Sequence, residues 1–392
     1  MHKMPGRRRA FRMQIICDGN LEYFRNVILG ARHYGFTSRS IVLGDRWIAQ
    51  EERDLPAMVQ RDSIDGIIAQ VNDRRFEERL LALPIPVVNI SNVLTPPRLP
   101  LVTQDDAAVG RLAAEHLLGR GCAVFACWGQ QDSSFSAERI DSFRRTLRKM
   151  SPTAQCHVGE GPPIATESGA PLIRRMTKWL RHLPRPLGIF TVLDTFALHL
   201  LRAAQGLSLR VPEDVAILGA GDDEFWVEFE SIPLSSIKLP SRQIGYEAAE
   251  LLHTLMRQRR KTAEHRHLPV TELAVRRSTD VLFVKDDAVT RAVAYIREHA
   301  AQNIYVNDVV AAAAISRSAL QQRFRQALGR TILTEIRTAR ISRVQSLLRT
   351  TDMKLSAIAE ACDFPNSPRL HVLFKQRTGQ TPGQYRALVR RG

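Results

Sequence analysis

Nowhere in the 392 residues does an apolar run approach the length a membrane-crossing helix needs, ~18–20 residues, because charges interrupt every hydrophobic segment. Cysteine is sparse and unpatterned. Cys17, Cys122, Cys127, Cys156 and Cys362 are odd in number and lack CxxC spacing, which argues against a disulfide framework or a structural zinc site and for small buried hydrophobes. The basic start, Met1 to Arg12, runs straight into the short strand-like Met13–Ile16 and then Asp18, so it offers no secretory apolar core. The expected location is the cytoplasm, with no membrane partner.

Signatures of enzyme chemistry are also missing. There is no GxxxxGK[ST] phosphate loop, no HExxH, no GxSxG and no Cys/His metal spacing, and Gly219-Ala220-Gly221 lacks the third glycine of a dinucleotide fingerprint. His265-Arg266-His267 sits in a polar, basic stretch and reads as solvated. The acidic pairs Asp105–Asp106 and Asp222–Asp223 are explained by helix capping or ligand hydrogen bonding more simply than by acid–base catalysis. No cofactor and no metal are expected.

What is present is an uneven charge. Of the net +16, residues 281–392 carry 18 Lys and Arg against 8 Asp and Glu, and residues 1–12 carry 5 against 0. The body between them holds 33 against 32. A near-neutral body joined to a basic tail is the electrostatic footprint of nucleic-acid binding, though charge alone fits RNA or an acidic membrane equally well.

The body alternates strand and helix. Short apolar runs recur at Gln14–Cys17, Ser40–Leu43, Gly66–Ala69, Pro86–Ile90, Val124–Cys127, Gly188–Val192 and Val215–Leu218. Helical stretches lie between them: Glu22–Tyr34, Glu51–Arg61, Phe76–Ala82, Val109–Gly119, Ile140–Lys149, Leu172–His182 and Thr195–Gln205. This spacing argues for an α/β fold of parallel sheets built from βαβ units, whose ligands bind at the carboxyl ends of the strands. The loops Asp18–Leu21, Ser91–Val93, Gln130–Ser136, Asp194 and Gly219–Glu224 are therefore the expected site walls.

From Asp286 onward the pattern is helical only: Ala288–Ala301, Val306–Ala314, Arg317–Leu328, Leu333–Thr350, Leu355–Cys362 and Arg369–Thr378. Ser316 is a good N-cap for the third of these. Leu320 and Phe324, four apart, turn to the core, which leaves Arg317, Ser318, Gln321, Gln322 and Arg325 on the opposite face. Such side chains reach phosphates and base edges in a major groove. Taken alone, this is equally a solvated amphipathic helix. The arrangement occurs twice, however: Leu370, Leu373 and Phe374 point inward while Arg369, His371, Val372, Lys375 and Gln376 point outward. Two units about one DNA turn apart suit successive major grooves of duplex DNA.

The run Ser316, Leu320, Phe324, Gly329, then Arg340, Leu347-Leu348, Ile358-Ala-Glu-Ala-Cys-Asp-Phe364, Phe374-Lys375 and Thr378-Gly-Gln-Thr-Pro382 with Tyr385-Arg386 resembles the DNA-binding domain of the AraC family over about 100 residues. The resemblance implies base contacts from Ser318, Gln321 and Gln322, with Ser367, Arg369, His371 and Val372 at the matching positions of the second unit. Asp363 stands where that family usually has Gly, and Pro368 and Leu370 stand where it has Ser and Phe.

The stretch Val102-Thr-Gln-Asp-Asp-Ala-Ala-Val-Gly-Arg111 through Gly121, with Glu138-Arg139, Val211-Pro-Glu-Asp-Val-Ala216 and Leu234-Ser-Ser-Ile237, resembles LacI-type and periplasmic sugar-binding proteins over most of residues 12–280. A two-subdomain periplasmic-binding-protein-like sensor at 12–280, followed by an all-α double helix-turn-helix domain at 285–392, resembles the bacterial xylose operon regulators. The resemblance implies a transcription regulator, not an enzyme, with a small-molecule inducer, a sugar such as xylose or a related pentose. It also implies duplex DNA as partner, a homodimer and contact with RNA polymerase.

Sugars are held by carboxylates and by Arg or Asn against vicinal hydroxyls, with a ring on the apolar face. Asp18, Asn20, Tyr23, Arg139, Asp194 and Asp222 are the candidates. Each has a plainer role. Asp18 and Asp194 fit as caps of the helices that follow, Tyr23 fits the core, and Arg139 fits a surface pair with Glu138 or Asp141. Leu193 and Gly221 replace the Asn and Asp common in such proteins. Two other readings remain open, a regulator of a non-pentose small molecule and, remotely, a sugar-processing enzyme with a DNA-binding tail.

Overall fold

The protein is described by a computed structural model covering residues 9–38, 40–44, 54–163, 166–223, 227, 231–258, 264–281, 283, 286–299, 302, 304–378 and 380–390. The basic residues before Arg9, the segment Glu51–Arg53, Glu224, the stretch 259–263, Lys285, Ala300–Ala301, Gly379 and Gly392 lie outside these residues.

Two parallel sheets are built in turn. β1 (Phe11–Ile16), α1 (Glu22–Ser38), β2 (Ile41–Leu43), α2 (Leu55–Arg61), β3 (Gly66–Ala69), α3 (Arg74–Leu81), β4 (Val87–Asn89) and β5 (Leu101–Gln104) form the first lobe. α4 (Asp106–Gly119) leads to the second. That lobe holds β6 (Val124–Gln130), α5 (Ser134–Met150), β7 (Gln155–Gly161), α6 (Ala170–Arg181), β8 (Leu187–Thr191), α7 (Asp194–Gly206), β9 (Val215–Gly221) and β10 (Ser235–Lys238). α8 (Ser241–Gln258) and β11 (His265–Leu268) return to the first lobe, and β12 (Glu272–Ala274) ends in the second. The strand orders are β11-β5-β4-β3-β1-β2 and β12-β10-β9-β8-β6-β7, with β12 antiparallel to β10.

Strands covered on both faces by helices read as continuous apolar runs, as in Gly66–Ala69, which is buried throughout. The first lobe has a core on each face of its sheet. Met13, Ile15, Ile68, Ile244 and Leu252 lie on one side, and Ile16, Ile67, Met58 and Phe76 on the other. The second lobe is centred on Phe125, Trp128, Phe143, Phe190 and Phe196. All four of Cys17, Cys122, Cys127 and Cys362 are buried and Cys156 is partly so. Burial pushes the Cys17 and Cys122 thiols up to about 12, which leaves them unreactive near neutrality.

Five elements were not anticipated from sequence in the body: β5, β7, β10, β12 and the 18-residue α8. A sixth element was likewise not anticipated: His265-Arg266-His267 belongs to the edge strand β11, paired to β5, and both histidines are exposed, as expected of a solvated stretch. It remains polar because only Leu268 points into the core, while Arg266 is held by Glu247, Glu250 and Glu264 at 2.8–2.9 Å.

The remainder is helical: α9 (Asp287–Glu298), α10 (Val306–Ala313), α11 (Arg317–Leu328), α12 (Ile332–Thr350), α13 (Leu355–Ala361), α14 (Ser367–Thr378) and α15 (Pro382–Arg390). Two small cores share one helix. Ile332 and Ile336 of α12 close a core with Val289, Ile296, Val309, Leu320 and Phe324. Ile341, Val344 and Leu348 of the same helix close another with Ile358, Leu370, Phe374 and Tyr385. Tyr385 explains why α15, unanticipated from sequence, folds back.

Candidate ligand cleft and nucleic-acid interface

The carboxyl ends of the strands of both lobes bring a connected set of polar groups to the lobe junction. Asp106 and Asp105, adjacent in sequence, take different tasks. Asp105 caps α4 by accepting from the Ala108 amide at 2.8 Å. Asp106 is fully buried and pairs with Arg139 Nε at 2.7 Å, and Arg139 is itself only 2% exposed. Asp106 also accepts from Gln104 Nε2 at 2.9 Å and Asn92 Nδ2 at 3.0 Å. Burying such a group is costly unless it is paired and hydrogen-bonded. Arg139 also donates to the Val192 carbonyl at 2.6 Å and lies 4.9 Å over the Phe135 ring. The surface pairing of Arg139 with Glu138 or Asp141 is thereby overturned: α5 turns this side chain into the interior.

Tyr23 donates to Gln104 Oε1 at 3.0 Å and so joins the same network. Its phenol is pushed up by burial, then by the Asp106 charge. The lobes also touch through backbone. The first amides of α5, from Ser134 and Phe135, donate to the Val93 and Asn92 carbonyls at 2.9 and 2.8 Å, so the first lobe satisfies donors that a helix start leaves open.

Asp194 begins α7, but its side chain does not cap that helix. It accepts from Ser236 Oγ at 2.6 Å and from the Asp223 amide at 3.2 Å. Burial pushes its carboxyl up to about 7, against the hydrogen bond from Ser236. Two glycines make room for it. A Cβ at 219 would sit 2.1 Å from Asp194 Oδ1, and one at 221, where φ is +141°, would sit 2.9 Å from Oδ2. The Gly at 221 thus has a local cause in the approach of this carboxylate.

Asp222, in left-handed backbone at φ 56°, is engaged by Arg276 at 2.6 Å and Lys238 at 3.0 Å. Asp18 and Asn20 are exposed at the end of β1. Asp18 accepts from the Asn20 amide at 3.0 Å, a turn ahead of α1, and its own amide donates to Gln70 at 2.9 Å. Two clusters therefore form, Tyr23–Gln104–Asp106–Arg139 and Asp194–Ser236–Asp222, linked through the strand end at Val192–Asp194. Asp18 and Asn20 sit apart from both among the hydrogen bonds of the described residues. Asn92 and Phe135 fall in the expected walls Ser91–Val93 and Gln130–Ser136, whereas Gln104, Ser236, Lys238 and Arg276 were not among the candidates. Asp106 carried a signal as half of an acidic pair. The described residues contain no group of three or more His, Cys, Asp or Glu able to hold a metal, and no helix among them is long and apolar enough to cross a membrane.

In the helical part, Ser316 Oγ accepts from the Ala319 amide at 3.3 Å and starts α11. Leu320, Phe324 and Leu328 are buried, while Arg317, Ser318, Gln321, Gln322 and Arg325 are all exposed on the other face. α14 repeats the pattern, with Asn366 Oδ1 taking the Arg369 amide at 2.8 Å. Leu370 and Phe374 are buried, Leu373 and Ser367 are half-buried, and Arg369, His371 and Val372 are exposed.

This architecture defines a class: a periplasmic-binding-protein-like sensor in front of a double helix-turn-helix unit, the build of a transcription regulator. Residues 114–279 match the periplasmic binding protein-like domain family, and residues 309–388 match a helix-turn-helix domain family. The xylose operon regulatory protein of Escherichia coli K12 is 30% identical over 385 residues, covering 96% of both chains. That of Haemophilus influenzae Rd is 30% identical over 383 residues, covering 96% of this chain and 98% of the other. The solved structure of the xylose-binding transcription activator xylR superposes with a TM-score of 0.59 at 28% identity, covering 97% of this chain and 98% of that one. The chain belongs to the xylose operon regulatory protein family, whose members regulate transcription and are not enzymes.

Proposed function

We propose that the chain is a sugar-responsive, sequence-specific regulator with a sensor at residues 12–280 and a DNA-binding domain at 285–392. It acts in the cytoplasm as a homodimer and meets RNA polymerase at its promoters. The observation that carries the sensor reading is the buried Asp106–Arg139 pair at the lobe junction, backed by Gln104, Asn92 and Tyr23 and flanked by the Phe135 ring. A carboxylate, a guanidinium, amides and an aromatic face are the donor and acceptor set that a polyhydroxylated ring requires. Arg139, Asp194 and Tyr23 would hold hydroxyls, with Asp18, Asn20 and Asp222 at the cleft rim. A pentose is the first ligand to test, since the relatives above are regulators of xylose operons.

On the DNA side, Ser318, Gln321 and Gln322 would read bases in one major groove and Ser367, Arg369, His371 and Val372 would face the next. Arg317 and Arg325 would take phosphates. Closure of the cleft needs to shift operator affinity by only ~1–3 kcal/mol to give a 5–150-fold response.

One observation favours a ligand other than a pentose. Asp222 is already paired with Arg276 and Lys238, and Leu193 offers no polar group, so fewer side chains remain for hydroxyls. A thermal-shift screen of the full chain against D-xylose, other pentoses, hexoses and sugar acids separates these readings, because a ligand of the folded state raises its melting temperature. Failure of every sugar would overturn the sugar reading. DNA binding that does not weaken steeply with salt would overturn the DNA reading.

A further inference from the structure

The carboxyl end of α4 lies far from the cleft yet is engaged from the helical part of the chain. We propose that Arg330 docks the first helix-turn-helix unit onto the sensor by seating its guanidinium on this helix end. The inference rests on the regulator reading above for its biological use, though not for the contact itself.

α4 has 14 residues, a rod of about 21 Å, with Asp106 of the cleft network at its start and Gly119 at its finish. The last carbonyls of a helix have no partner within it and carry a partial negative charge, which suits a cation. Arg330 Nη2 donates to the Gly119 carbonyl at 3.2 Å. Glu335, in the first turn of α12, places its carboxylate 2.6 Å from Arg330 Nε, a charge pairing without hydrogen-bond geometry. Gly119 is required by this seat, since a Cβ there would lie 2.3 Å from Arg330 Nη1.

A further tie converges on the same helix end. The Arg120 carbonyl accepts from the Phe283 amide at 2.7 Å, so the segment connecting the two parts of the chain passes over this spot. Arg330 follows Gly329, which caps α11 with φ +64°. The recognition helix, its cap, Arg330 and α4 thus form one connected path from the DNA face to Asp106. Arg330 is a positioning residue: it acts by holding α11 in place.

The test uses the full chain and two variants with opposite chemistry. Gly119→Ala keeps every charge and displaces only the flexible guanidinium end, while Arg330→Ala removes the cation. Hydrogen exchange without sugar or DNA is expected to speed up by about tenfold at the amides of 117–121 and 329–336 in both. The double variant should exchange no faster than either single one, as sites acting through one contact are not additive, and Arg330→Lys should restore most of the protection. With D-xylose as probe, both variants should lose more than half of the sugar-induced change in operator affinity that the wild type shows. Unchanged exchange in both variants overturns the docking. Faster exchange with an undiminished response to D-xylose overturns the positioning role. A wild type indifferent to D-xylose, with faster exchange in both variants, upholds the docking and counts against the pentose reading instead.

Discussion

Asp363 sits in left-handed backbone at φ 57°, and its carboxylate is gripped by the Arg340 guanidinium, which also donates to the Ile304 carbonyl at 2.8 Å. Arg340 lies on α12, Ile304 precedes α10 of the first helix-turn-helix unit, and Asp363 follows α13 of the second. One side chain therefore ties both units to the helix they share. The position favours Gly on backbone grounds alone, since L residues in this region carry a cost of ~1 kcal/mol. The Arg340 pair, with Tyr305 Oη at 3.4 Å, offsets that cost.

Asp363→Ala keeps the unfavourable backbone and loses the ion pair, so it should destabilise the helical region by about 1–3 kcal/mol. Asp363→Gly loses the pair but relieves the backbone and should stay within about 1 kcal/mol of wild type. Urea denaturation followed on the helical transition distinguishes them. An Ala variant as stable as the Gly variant would show that the left-handed position carries no cost here.

The Asp194 carboxyl titrates near 7 in the folded protein, well above the ordinary carboxylate range, because it is buried. A raised folded-state value means the folded form holds its proton longer than the unfolded form. The stability it contributes is full below about pH 4 and is lost as pH rises to about 7, then levels off. At ~1.4 kcal/mol per unit the loss has an upper bound of about 4 kcal/mol. The melting temperature should fall between about pH 4 and pH 7, and Asp194→Ala should flatten that slope. An equal slope in the variant would assign it to other groups.

Arg139→Ala leaves Asp106 buried without its counter-charge and should destabilise the sensor by about 3–5 kcal/mol. Loss of the inducer response in that variant would therefore be ambiguous. Arg139→Lys keeps a cation but not the fork that reaches Asp106 and Val192 together, and should weaken ligand binding with a smaller stability loss. The double variant Arg139→Met with Asp106→Asn should recover stability relative to Arg139→Ala, as measured by thermal unfolding.

The two recognition helices should differ in role. α11 offers Gln321 and Gln322, two amides suited to adenine, whereas α14 offers Pro368, with no donor, and Val372, suited to a thymine methyl. Changing both glutamines to Ala should relax base preference in one half of the operator subsite at ~1–3 kcal/mol per lost bidentate contact. Arg369→Ala should weaken binding to all sequences and lower the salt slope. Selections on random operator libraries decide it, and His371 is the residue most able to reverse the assignment, since its ring reaches guanine or phosphate.

Much of this protein is determined by local pattern. The charge of the tail, the four-residue spacing of Leu320, Phe324 and Leu328, the Ser316 cap and the buried run Gly66–Ala69 each act over a few residues, so composition and period alone place them. α8 had the same kind of signal in Ile244, Ala248, Leu251 and Leu255 and was not singled out. Tertiary structure decided what depends on partners distant in sequence. β11 is a strand only because β5 lies beside it, across more than 160 residues of chain, and no hydrophobic alternation marks it. Asp106 and Asp105 are alike in sequence, and only the fold sends one to cap α4 and the other to Arg139. The network at the lobe junction is of the same kind: Asp106 meets Arg139, and the Asn92 carbonyl meets the Phe135 amide, only once both lobes are formed, and the burial that raises the Asp194 carboxyl exists only in the folded chain.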